Sequence, residues 1–129
     1  MSPAPAAGVV LTVGGALPAV RALVGRFFVE RGWQVHERGP ALLVAETGSR
    51  RRTVLLGALA GRRFHLTAPL ELHEVPGGVE VRYRWGAGAG RALGGSLGRA
   101  RATRSHERTA AALAEALGAD GRGVQVRRL

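Results

Sequence analysis

Glu71, His73 and Glu80 are the residues whose types and spacing come nearest to a chemical site. Two carboxylates and an imidazole brought together could hold a divalent ion or relay a proton. They fall on two neighbouring alternating segments. A tight turn pairing Val75 with Gly78 sets His73 opposite Glu80 and Glu71 opposite Arg82. Arg82 then neutralises Glu71, and a polar sheet surface is the simpler reading of all four residues. His65 and His73 share a face but stand eight residues apart, about 26 Å along a strand. None of the four histidines shows metal-ligand spacing.

Other chemistry is harder to assemble. The chain has no cysteine, which excludes a disulfide framework and a thiolate metal site. Ser2, Ser49, Ser96 and Ser105 sit in no nucleophile-elbow motif. Gly14-Gly15 enters a helical stretch, where free N–H groups could cradle a phosphate, but no Lys, Ser or Thr completes such a site. Gly90 and Gly95 have P-loop separation with Ser96 nearby, and the lysine a P-loop needs is missing. No catalytic residue, metal ligand or cofactor is assigned.

The arginines are the remaining candidates. The formal charge is +10, and all 19 basic residues are Arg. Met1–Ser49 carries a net +1, from four arginines against three glutamates, so +9 lies from Arg50 onward. A local excess of that kind favours an anionic partner, such as an acidic protein or nucleic acid. Arg50, Arg51 and Arg52 form one cluster and Arg62-Arg63 another, about 30 Å away at the far end of the same strand. Arg101, Arg104 and Arg108 make a stripe at spacings of three and four on a helix. No aromatic residue interleaves with that stripe, which weighs against the nucleic-acid version.

The elements that position these residues are legible from periodicity. Phe64, Leu66, Ala68, Leu70 and Leu72 alternate with mostly polar residues, then Val79, Val81, Tyr83 and Trp85 do the same after Pro76-Gly77-Gly78. This predicts a hairpin with one buried face. Arg52–Ala60 is apolar on both sides and predicts a strand covered on both faces. Val9–Val13 predicts a first strand, and Ala16–Arg31 an amphipathic helix that Gly32 stops. Trp33–Glu37 and Ala41–Glu46 predict a second hairpin about Arg38-Gly39-Pro40.

Gly86–Gly98 holds six glycines, with a ridge at Gly86, Gly90, Gly94, Gly98 and Ala102. A helix there would pack very closely, at a cost of roughly 1 kcal/mol per glycine against alanine. Arg101–Leu117 predicts the second helix, with Ala102, Ala110, Leu113 and Leu117 inward. Gly123–Leu129 offers a short edge strand.

At 129 residues these elements make one domain, 9–129, after a frayed tail, 1–8. The expected fold is α+β: a single curved antiparallel sheet in strand-helix-meander-helix order, with two helices on one face. That architecture is similar to helix-grip and TATA-binding-protein-like domains. The uncharged run Ala6–Val20 is too short to span a bilayer and follows no basic segment, so a cytoplasmic location is expected.

Two functions suit this plan. The first is a non-enzymatic binding or assembly module. Arg50, Arg51, Arg52, Arg101, Arg104 and Arg108 would meet an anionic partner, and the two-faced apolar strands would support a homo-oligomer. The second is a small apolar-ligand domain with a pocket between the curved sheet and the C-terminal helix, lined by Phe27, Phe64, Tyr83 and Trp85. The Arg excess favours the first. A cavity above roughly 300 Å³ between sheet and helix would favour the second.

Overall fold

The computed structural model describes residues 8–47, 66–85, 95–119 and 121–129, with the backbone alone for 95–101. In chain order the elements are β1 (Gly8–Val13), α1 (Leu17–Glu30), β2 (Gln34–Glu37), β3 (Leu42–Thr47), β4 (Leu66–Val75), β5 (Gly78–Arg84), α2 (Gly95–Gly118) and β6 (Val124–Arg128). The six strands form one open antiparallel sheet in the order β2-β3-β4-β5-β1-β6. The fold is α+β. The expected strand over Arg52–Ala60, Phe64, and the ridge at 86–94 lie outside the described residues.

The register of the β4–β5 hairpin is the one that its tightest turn sets within the parity its alternation allows. Val75 pairs with Gly78, His73 with Glu80 and Glu71 with Arg82. Leu66, Ala68, Leu70 and Leu72 of β4 and Val79, Val81 and Tyr83 of β5 then fall on one buried face. Pro76 and Gly77 form the two-residue turn, and Gly77 takes φ +88°, a value that glycine adopts at no steric cost.

Both helices cover that same face, since their inward residues join one core with it. Val20, Val24 and Phe28 come from α1; Ala102, Ala110, Leu113 and Leu117 come from α2. The first helix ends as its sequence dictates. Gly32, at φ +86°, donates to the Val29 carbonyl, and Trp33 N–H donates to the Phe28 carbonyl at 2.9 Å. That is the Schellman pattern, and the Trp33 and Phe28 rings close it in edge contact at 5.0 Å. The far face is polar over the β4–β5 hairpin, while Leu42 and Val44 of β3 are half-buried there.

The outer-face charges pair differently from the expectation. Arg82 does not neutralise Glu71. Its Nε donates to Glu80 Oε1 at 2.6 Å along the same strand, and His73 lies 3.4 Å from Glu71. Residues two apart on a strand share a face, so these neighbours compete with the directly opposed ones. The Arg82 guanidinium holds the Glu80 carboxyl below its usual range.

No helix among the described residues is long and apolar enough to cross a membrane.

Candidate functional site

A groove of about 320 Å³ lies between α2 and the β1–β6 end of the sheet. Its helix wall is Glu107, Ala110, Ala111 and Ala114, and its sheet wall is Val9, Trp85, Val126 and Arg128. The groove exists because the helix presents three alanines here. Leu113 and Leu117, one helical face round, are buried in the core. The strand wall follows from the register: Val9 lies opposite Arg128 and Leu11 opposite Val126, so Val126 and Arg128 stand on the helix-covered face. β6 is the last strand of the sheet, and no strand beyond it closes the groove among the described residues. Val126 is 56% exposed and Leu129 43%, two of the few large apolar side chains on the surface. Glu107 and Arg128 place one charge of each sign on the rim.

Behind the groove wall lies a buried aromatic cluster. Trp85 stacks on His106, with ring centroids 5.7 Å apart and an interplanar angle of 1°. His106 is 0% exposed and shares a 2.6 Å hydrogen bond between its Nδ1 and the Tyr83 hydroxyl. Trp33 and Phe28 complete the surroundings through edge and tilted contacts. Burial pushes the His106 pKa down to about 4, so the ring is neutral at pH 7. Burial also pushes the Tyr83 hydroxyl well above its ordinary range, with Thr109 acting in the opposite direction as a hydrogen-bond partner. The second ring nitrogen of His106, Nε2, has no hydrogen-bond partner among the described residues. The Trp85 wall is backed by a flat, neutral partner, the His106 ring.

A second depression, about 280 Å³, lies between α1 and the β2–β3 hairpin. An Arg21–Glu37 ion pair of 3.1 Å links its two walls, and Arg21 also donates to the Gly39 carbonyl at 3.3 Å. The ion pair sets the two charges against each other across the gap, while Arg21 Nε is buried with no hydrogen-bond partner among the described residues.

The residues singled out by sequence fall in several places. Trp85 lines the groove. Tyr83 is packed behind it in the core, and Phe27 is half-buried on α1 in edge contact with Phe28 at 5.1 Å. Phe64, Arg50, Arg51 and Arg52 lie outside the described residues. Arg104 and Arg108 are exposed on α2, and Arg101 belongs to the same helix. Glu71, His73, Glu80 and Arg82 share the outer face of the hairpin as two separate pairs. No group of three His, Cys, Asp or Glu side chains is arranged to hold a metal among the described residues. Sequence reasoning missed His106 and Thr109. Both sit in the inward stripe 102, 106, 109, 110, 113 and 117, so the helical period alone could have found them. The chain matches no protein-family model and no curated protein sequence.

Proposed function

We propose that this domain is a binding module that takes an apolar group of an anionic partner into the groove between α2 and β6. The single observation that carries this is the groove itself: about 320 Å³, walled by three alanines, two valines and Trp85, and open at the sheet edge. That volume passes the roughly 300 Å³ that favours an apolar-ligand reading and lies at the lower end for ligand-binding clefts, enough for one large side chain or a short acyl group. The anionic character comes from the surroundings. Arg128 is on the rim, Arg104 and Arg108 are exposed on the same helix, and the chain carries +10. A positive field raises the encounter rate with an anion and makes binding weaken as salt rises.

The test is a titration with decanoate, an apolar chain with an anionic head, followed by Trp85 fluorescence in a Trp33→Phe background. Saturable change, weakened by 0.5 M salt and abolished by Ala111→Phe, is the expected result. Ala111 is exposed, so the added ring fills the groove without entering the core. Binding that survives Ala111→Phe would place the ligand elsewhere and overturn the reading.

A further inference from the structure

The groove lies beside a strand edge that pairs with no further strand among the described residues, and the phase of that edge can be read from two hydrogen bonds. Gly14 N–H donates to the Gly123 carbonyl at 3.3 Å, and Leu129 N–H donates to the Gly8 carbonyl at 3.0 Å. In an antiparallel pair, hydrogen-bonded and non-bonded residue pairs alternate. Gln125 and Arg127 therefore turn their N–H and C=O groups toward β1. Val124, Val126 and Arg128 turn theirs away from it, on the side where the sheet has no further strand among the described residues. The side chains of these same three residues stand on the helix-covered face, and those of Val126 and Arg128 line the groove.

We infer that β6 is a docking edge for an extended acidic peptide, which adds to the sheet as a seventh, antiparallel strand. This rests on the reading of the groove as the binding site, and it names the partner. A peptide residue opposite Val126 would form the hydrogen-bonded pair with it. Its side chain would stand on the same face as that of Val126, which is the groove face. That residue is large and apolar. The residue two positions nearer the peptide N-terminus falls opposite Arg128, on the same face, and is acidic. Main-chain hydrogen bonds supply affinity and the alternate side chains supply selectivity, as in other edge-strand recognition.

Charge chooses the occupant. An exposed apolar edge strand is a general template for pairing, and charged side chains restrict what pairs with it. A second copy paired over all five residues of β6 would set Arg128 opposite Val124 and Arg127 opposite Gln125, so neither arginine would gain a partner of opposite charge. An acidic peptide instead meets both arginines favourably. Glu107, on the helix side of the rim, keeps the acid on the strand side.

The test is selection of a random nine-residue phage-displayed peptide library on the whole protein, then synthesis of the enriched peptide. Enriched sequences should carry Asp or Glu two positions before a large apolar residue. Binding should slow amide exchange at Val124, Val126 and Arg128 by tenfold or more and leave Gln125 and Arg127 as they were. N-methylation of the apolar residue should weaken binding at least tenfold, and methylation of the next residue should not. Arg128→Glu should weaken the acidic peptide about tenfold and spare its Gln counterpart. If no peptide is enriched, or the bound peptide protects other amides, strand addition fails; decanoate binding retained in that case leaves the groove reading standing, and its loss overturns both. Slow Val126 exchange in the free protein together with a dimer in sedimentation would show that β6 pairs with its own copy and would also overturn the inference.

Discussion

Tyr83 on β5 and His106 on α2 meet through a 2.6 Å hydrogen bond, and this bond ties the long helix to the centre of the sheet. Both partners are fully buried. A buried polar atom that loses its partner keeps its desolvation cost, whereas replacing both partners removes the cost with the bond. Tyr83→Phe should therefore destabilise the fold by about 1–3 kcal/mol. His106→Leu combined with Tyr83→Phe should be less destabilised than the two single changes summed. Urea unfolding of the four species in a double-mutant cycle measures this directly.

The same histidine sets a pH dependence. Its folded-state pKa is depressed to about 4 from 6.5 by burial. The unfolded chain thus binds a proton that the folded chain refuses. The neutral ring's contribution is complete above about pH 6.5. It is lost progressively as pH falls toward 4, at roughly 1.4 kcal/mol per pH unit. Below about 4 this group adds no further slope. Denaturant midpoints between pH 7 and 3.5 should show the decline, and His106→Leu should flatten it. Glu80 acts in a lower window: its depressed pKa gives stability present above 4.5 and lost as pH falls below it. Arg82→Gln should change only that lower part.

Gly32 carries the end of α1. At φ +86° a Cβ is strained whatever the space around it, and the Trp33–Phe28 contact depends on the turn it makes. Gly32→Ala should cost about 1 kcal/mol. Gly25, inside the same helix with nothing near its Cβ position, gives the opposite sign: Gly25→Ala should stabilise by roughly 0.5–1 kcal/mol. Thermal unfolding of the two variants checks both directions.

The outer face predicts a coupling pattern. Arg82 should couple to Glu80 and not to Glu71 in double-mutant cycles, because its Nε contacts Glu80 at 2.6 Å. His73 should couple to Glu71 when protonated.

Much of the fold was legible because its strands have one dry face. The alternation at Leu66–Leu72 and Val79–Trp85 limited the register of β4 and β5 to pairs that sum to an odd number, since a slip of one would expose the core, and the tightest turn, Val75 with Gly78, selected the one observed. Helix α1 announced its start with Pro18 and its end with Gly32. The start of α2 was harder. Its first residues, Gly95–Gly98, have poor helix propensity, and the helix begins six residues before Arg101, where periodicity becomes clear. The ion-pair partners on the outer face were not legible, because neighbours at i+2 and opposite neighbours lie at similar distances. The groove was hidden for a related reason. It arises from what alanines leave empty between α2 and β6, a relation between two segments distant in sequence. Trp85 was the one groove residue that its type made conspicuous.

The most direct test of the groove as the binding site is chemical-shift mapping of the whole protein titrated with decanoate. The expected result is a cluster of shifted amides at Val9, Trp85, Ala110, Ala111, Ala114 and Val126, absent in Ala111→Phe. Shifts confined to the α1–β2 depression around Arg21 and Glu37, or no saturable shift, would contradict it.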